Sequence, residues 1–227
     1  MIKETIIKKH ISFDIDLKNF NDDLLSKIER KNILVIGGAG TIGASYIKQI
    51  LKYKPSKITV VDINENGLTE LTRDLRSSNL LDYNPEYITY PVNLLSDIFD
   101  KIYNSDTWQV VANFSAHKHV RSEKDKISVE ALIKNNVFGA IKLLNLCELN
   151  PPKYFFSVST DKAANPVNIM GASKSLMEKL ILSKKEKFTV STARFANVAF
   201  SNGSLLDGFI YRLNKNQPLS CPDDIKR

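Results

Sequence analysis

The stretch Asn32-Ile33-Leu34-Val35-Ile36-Gly37-Gly38-Ala39-Gly40-Thr41-Ile42-Gly43 decides the fold of this chain. Its apolar run shows no polar alternation, so it reads as a strand covered on both faces, the kind a parallel sheet requires. Glycines at 37, 40 and 43 then make a GxxGxxG turn that opens a helix. Gly37 permits the tight turn, Gly40 lets the backbone come close to a pyrophosphate, and Gly43 lets the helix pack against the strand. The first helical N–H groups, at Thr41 and Ile42, face the same phosphates. A glycine triad alone is a weak signal. Here a second apolar strand, Lys57 to Asp62 (KITVVD), ends on an acid and completes a βαβ unit from Ile33 to Asp62. A carboxylate at Asp62 accepts hydrogen bonds from the adenosine ribose and repels a 2′-phosphate, so the reading is NAD rather than NADP. Capping the next helix is the competing use of Asp62.

Outward from this unit the pattern keeps alternating. Helices are predicted at about 41–53, 66–81, 97–103, 129–149 and 167–184, and strands at 87–91, 109–113, 153–158 and 188–194. Regular βα alternation with short connections gives an α/β class, a Rossmann-like doubly wound parallel sheet. Residues 1–31 come before the first strand. The spacing of Phe20, Leu24, Leu25 and Ile28 predicts one amphipathic helix there, capped by Asn21 or Asp22, so 1–31 reads as a helical arm.

Composition narrows the partners. The chain has 227 residues, 43% hydrophobic and 25% charged, with a formal charge of +7. A basic balance suits an anionic ligand. The lysines are scattered, and no nucleic-acid-binding motif is present, so the expected ligand is a phosphorylated small molecule rather than a nucleic acid. Cys147 and Cys221 make no disulfide framework. No apolar stretch reaches the ~18–20 residues of a membrane span, and the first ten residues lack the apolar centre of a signal peptide. The expectation is a cytoplasmic location. His117 and His119 lack a third ligand nearby, so no metal site is expected.

Polar residues crowd the end of the fifth strand, Ser157-Val158-Ser159-Thr160-Asp161-Lys162-Ala163, where ligands bind in this architecture. Met170 and Lys174 follow, four apart on one helical face. These segments resemble the extended short-chain dehydrogenases/reductases, and among them the nucleotide-sugar 4,6-dehydratases of polysaccharide biosynthesis (the UDP-N-acetylglucosamine 4,6-dehydratase group). The stretches that carry the resemblance are VIGGAGTIG, VVDINEN, NFSAHKHVRSEKD, NNVFG, VSTDKAANPVNIMGASK, STARFANVAFSNGSL and PDDIKR, from residue 32 to the end.

The resemblance implies NAD as cofactor, a UDP-sugar as substrate and a homo-oligomer. It implies oxidation at sugar C4, loss of water across C5–C6 and return of the hydride to C6. Oxidation makes the C5 proton acidic, so the elimination needs a base at C5 and an acid at O6. By position Asp161 is the acid and Lys162 the base, which requires a protonated Asp161 and a neutral Lys162. Most of the superfamily has YxxxK where this chain has Met170-x-x-x-Lys174. Methionine has no exchangeable proton, so Thr160, Lys174 or water takes the C4 hydroxyl proton. Lys174 also holds the ribose on the nicotinamide side. Ile36 stands where many relatives have Thr. The same resemblance places Asn93 at adenine, Asn113, Ser115 and Ala116 along the cofactor, and Asn197 and Val198 near the nicotinamide. It makes Asn136 an organiser of the site. Lys118, Asn197, Asn202 and Ser204 are implied for the substrate.

Three regions follow: 1–31 as the arm, 32–200 as the NAD-binding domain, and 201–227 as the start of a substrate-binding region whose larger part is expected to be absent. A 4-epimerase, a dehydratase that also inverts C5, and an inactive NAD-binding fragment are the competing readings.

Overall fold

The computed structural model describes residues 13–117 and 123–219. Two short helices come first, α1 (Asp14–Asn19) and α2 (Asn21–Ile28). The sequence predicts one helix from Phe20 with Asn21 or Asp22 as cap. In the structure Phe20 is the cap residue of α2 without a side-chain hydrogen bond, and Asn21 is already helical.

Then the βα units run in order: β1 (Asn32–Ile36), α3 (Thr41–Leu51), β2 (Lys57–Asp62), α4 (Glu65–Ser77), β3 (Glu86–Pro91), α5 (Asp97–Asn104), β4 (Val110–Asn113), α6 (Lys126–Ile133), a π-helix (Lys134–Phe138), α7 (Gly139–Leu149), β5 (Tyr154–Thr160), a 3-10 turn (Asp161–Ala163), α8 (Ile169–Leu182), β6 (Thr189–Phe195) and α9 (Leu205–Asn214). The six strands form one sheet in the order β3-β2-β1-β4-β5-β6, with every pair parallel. The order reverses between β1 and β4, and ligands bind at such a switch point, beyond the carboxyl ends of the strands.

β1 explains why the core is double. Successive side chains of a strand point to opposite faces. Ile33 and Val35 join Ile47, Ile50 and Leu51 of α3 and Leu68, Leu71 and Leu75 of α4 on one face. Leu34 and Ile36 join Phe99 and Tyr103 of α5, Leu143 and Cys147 of α7, and Met177 and Ile181 of α8 on the other. A strand with apolar partners on both sides has to be continuously apolar, as this one is. At the opposite end of the sheet, Lys57 pairs with Glu86 and Asp106, each at 2.9 Å, and the Asn32 side chain binds Asp106 at 3.0 Å. This polar network closes the amino ends of the strands and leaves the carboxyl ends open.

The helix expected over 129–149 starts earlier and is interrupted. Asp125 caps α6 by accepting from the Ile127 and Ser128 N–H groups, so the helix begins at Lys126. The π-helix then inserts a wider turn before α7. β5 runs two residues further than predicted, to Thr160. Among the described residues no helix is long and apolar enough to cross a membrane.

Candidate active site

A cavity of about 760 Å³ opens at the carboxyl ends of the strands. It gathers nearly all of the residues read from the sequence. Gly37, Gly40, Thr41, Ile42, Gly43, Asp62, Asn93, Ser115, Ala116, Asn197 and Val198 line it, together with Thr160, Lys162, Met170, Lys174 and Ser204. Asp161 and Asn202 are off its wall. Lys118 lies outside the described residues.

The glycine turn is built by sterics. Gly37 has φ +76°, and its N–H donates to the Val61 carbonyl at 2.7 Å. A Cβ there would stand 2.5 Å from the Ser115 nitrogen and 2.7 Å from the Phe114 carbonyl carbon. At Gly43 a Cβ would collide with the Gly37 backbone. Gly40 differs. Its φ is −73°, and the nearest atom to a Cβ would be the Gly37 oxygen at an ordinary 3.5 Å. The fold itself leaves room at Gly40, on the cavity wall.

Asp62 is not the helix cap. Asn64 caps α4, its Oδ1 accepting from the Gly67 N–H. Asp62 instead bridges back to the turn: Oδ2 accepts from the Ala39 N–H and Oδ1 from the Asn64 N–H, both at 2.9 Å. The carboxylate is thereby fixed between the glycine turn and the end of β2. Asn113 is buried behind Ser115, and its Oδ1 accepts from both the Ser115 N–H and hydroxyl. It orients Ser115 and does not itself line the cavity.

Three of the hydrogen bonds of the Asn136 side chain tie the His117 backbone to α8. Asn136 Oδ1 accepts from the His117 N–H at 2.9 Å, and its Nδ2 donates to the His117 carbonyl at 3.0 Å and to the Ser173 hydroxyl at 3.1 Å. The side chain is 2% exposed and belongs to the π-helix, a departure from regular helix that often marks functional positions. Asn136→Ala leaves these buried groups short of partners, at about 1–3 kcal/mol. The expected loss in Tm is roughly 2–12 °C, read by thermal unfolding. An unchanged Tm would contradict the role.

α8 is held against the site from three directions. Asn168 caps it by accepting from the Gly171 N–H. Glu123 Oε1 accepts from the Met170 N–H at 2.7 Å. At Gly171 a Cβ would lie 2.6 Å from the Lys162 carbonyl, so this glycine lets the 3-10 turn sit on the helix. Met170 and Lys174 are each 3% exposed. Lys174 Nζ donates to the Val158 carbonyl at 3.2 Å. Burial pushes its pKa down to about 8, and the nearby Glu178 opposes that shift.

Thr160, Asp161 and Lys162 form a chain of contacts at the end of β5. The Thr160 hydroxyl donates to Asp161 Oδ1 at 2.9 Å, and Lys162 Nζ donates to the same oxygen at 3.2 Å. The Thr160 and Lys162 hydrogen bonds hold the Asp161 carboxyl below the usual carboxylate range, so in this arrangement it is ionised. As an acid at O6 it must take up a proton that these contacts resist. The sequence reading missed Glu123, Asn135, Ser159 and Ile63. The last three line the cavity. Ser159 carries a signal, since it lies in the same polar strand end. Glu123 carries none, because its role depends on where the chain returns in space.

The polysaccharide biosynthesis protein family matches this chain over residues 33–227. The chain belongs to that family. Among curated relatives, an uncharacterised membrane protein of Methanocaldococcus jannaschii is 35% identical, the match covering 92% of this chain and 60% of the relative. A UDP-N-acetylglucosamine 4,6-dehydratase (inverting) of Campylobacter jejuni is 33% identical over 79% of this chain and 52% of its own length. Among solved structures, Pen from Bacillus thuringiensis superposes with a TM-score of 0.75 at 27% identity, covering 87% of this chain and 61% of that one. The chain therefore spans between half and about three fifths of the length of these relatives. Within this polysaccharide biosynthesis family protein, the stretches VIGGAGTIG, VVDINEN, VSTDKAANPVNIMGASK and STARFANVAFSNGSL, which resemble the extended short-chain dehydrogenases/reductases, each contribute residues to the cavity.

Proposed function

We propose that this chain forms the cofactor-binding and chemical core of a nucleotide-sugar 4,6-dehydratase that uses NAD and acts on UDP-N-acetylglucosamine. One observation carries the reading. A single cavity has the glycine turn and Asp62 on one side and Thr160, Lys162, Met170 and Lys174 on the other. The residues present fit a dinucleotide. Gly40 leaves open the space that a pyrophosphate would fill, the N–H groups of Thr41 and Ile42 start a helix there, and Asp62 stands where ribose hydroxyls would be bound. Bound NAD supplies a hydride acceptor and donor.

The chain's own residues do the rest. Lys174, buried and half-way to neutrality near pH 8, holds the nicotinamide-side ribose and helps take up the C4 hydroxyl proton. Thr160 lies on the cavity wall and donates to Asp161, which gives that proton a second route in place of the missing tyrosine. Lys162 removes the C5 proton, and Asp161 serves the departing O6. Ser204 and Asn197 face the sugar nucleotide from the segment after β6.

The test is to incubate the protein with UDP-N-acetylglucosamine and NAD⁺ or NADP⁺ and to weigh the sugar nucleotide. Loss of one water, favoured with NAD⁺, is the expected result. A product of unchanged mass but altered C4 configuration would replace dehydration with epimerisation. Unaltered substrate in the presence of bound NAD⁺ would leave only the cofactor half of the reading standing.

A further inference from the structure

Lys174 is one of three alternating charges that run from the cavity wall to the edge of the sheet. Glu178 lies one helical turn after it on α8, on the same face, and is 5% exposed. Arg194 on β6 closes on Glu178 with a two-pronged contact: Nε donates to Oε1 at 2.9 Å and Nη2 to Oε2 at 2.6 Å. Both carboxylate oxygens are therefore engaged by the guanidinium. Lys174 Nζ is left to the Val158 carbonyl, the Met177 sulfur and the cavity. Phe195, Ala196 and Asn197, which directly follow Arg194, are themselves cavity residues. The pair thus ties the helix that carries Lys174 to the strand that leads into the far wall of the site.

We propose that Glu178 is a positioning residue for Lys174, setting its charge from one helical turn away, with Arg194 as the counter-charge that stops the carboxylate from taking the ammonium for itself. The proposal deepens the function above, since it rests on Lys174 acting at the cofactor. The physical argument is a balance of two neighbours. Burial disfavours a charged Lys174, and a nearby carboxylate favours it. An unpaired Glu178 would hold Lys174 fully protonated and draw Nζ down its own helix. An absent Glu178 would leave Lys174 with no support for its charge. Arg194, by occupying the carboxylate bidentately, holds the balance between these limits, where one group can hold a ribose and exchange a proton near neutral pH.

Few other charges compete for Lys174 among the described residues. β5 offers the Val158 carbonyl to Lys174 and sets the Ser159 hydroxyl beside Glu178. The 3-10 turn offers Lys162, on the same cavity, with Asp161 bound to it. The π-helix contributes Asn136 through Ser173, while its Lys134 pairs with Glu130 of α6 at the surface. Glu148 of α7 pairs with Lys184 beyond the far end of α8.

The test reads Lys174 directly, without cofactor or substrate. The protein is labelled with ¹³C at lysine Cε, and the Lys174 signal is identified by its loss in Lys174→Arg. In the wild type it should titrate near pH 8. Glu178→Gln should lower the midpoint by about one pH unit, and Arg194→Gln should raise it by about as much. Arg194→Lys keeps the charge but loses the fork, and should raise it by less. This mild variant decides the matter if the others do not fold. A wild-type midpoint at the ordinary lysine value of about 10.4 would overturn the proposal. So would folded variants, Arg194→Lys included, whose midpoints match the wild type. Because no dinucleotide enters the measurement, a failure here is distinct from a failure to bind NAD.

Discussion

Gly37→Ala should unfold this protein at a markedly lower temperature and end dinucleotide binding, whereas Gly40→Ala should end binding and leave the fold intact. The two substitutions are chemically identical, and the difference lies in what surrounds each Cα. At Gly37 the backbone is left-handed, with φ +76°, which costs a residue with a side chain about 1–2 kcal/mol. The new methyl also meets the backbone of Phe114 and Ser115. That backbone is fixed, because the Phe114 N–H is bound to the Ile36 carbonyl at 2.7 Å, so the clash adds about 1–3 kcal/mol. Together these predict a fall in Tm of roughly 4–20 °C. At Gly40 the φ of −73° suits any residue, and the methyl would make only ordinary contact with the Gly37 oxygen. Stability there should stay within about 1 kcal/mol, the range for glycine replacement at a compatible position. Nothing in the unliganded fold requires glycine at 40, and a closely approaching ligand does. Thermal unfolding and an NAD⁺ titration of both variants separate the cases. A Gly40→Ala protein that binds NAD⁺ like the wild type would remove the pyrophosphate from this turn.

The same contrast explains what could be read from the sequence. Ile33 to Ile36 are apolar without alternation because both faces of β1 are covered, and that is a one-dimensional pattern. The GxxGxxG spacing, the terminal Asp62 and the polar end of β5 are local as well, and so the two opposite sides of the cavity wall could be named in advance. What escaped depends on chain segments that meet only in space. The π-turn at Lys134–Phe138 leaves no trace in the apolar periodicity of 129–149, yet it accompanies the turn of Asn136 toward His117 and Ser173. On paper Asp62 could cap the next helix, but the Ala39 N–H claims its carboxylate and Asn64 caps α4 instead. Glu178 and Arg194 look like ordinary surface charges of a helix and a strand. Their bidentate contact joins α8 to β6, two elements that meet only in the folded chain.

Lys162→Ala and Asp161→Asn should each lower dehydration by about 10²–10⁴-fold, the usual range for loss of a positioned acid or base, but at different steps. The structure frames the problem they test. Asp161 is held ionised, with Lys162 Nζ 3.2 Å from its Oδ1, which is the reverse of the protonation that an acid at O6 and a base at C5 require. One proton moved from Lys162 to Asp161 converts the pair into the required forms with no change in net charge. Both groups are half-exposed here, and exposed ion pairs bind their partners weakly. A sugar nucleotide that covers the turn excludes water, and loss of water favours the neutral forms of both groups. The substrate itself would thus arm the pair. Experiments in deuterium oxide distinguish the roles. Without Lys162, recovered UDP-N-acetylglucosamine should carry no deuterium at C5 and lose no water. With Asp161→Asn, C5 should still exchange while water loss stalls, because the proton leaves but O6 has no acid. Both variants must bind the sugar nucleotide as the wild type does, or the loss is one of binding. Near-normal turnover in both would remove the pair from the chemistry, and exchange at C5 in Lys162→Ala would move the base elsewhere, with Lys174 the next group on the same wall.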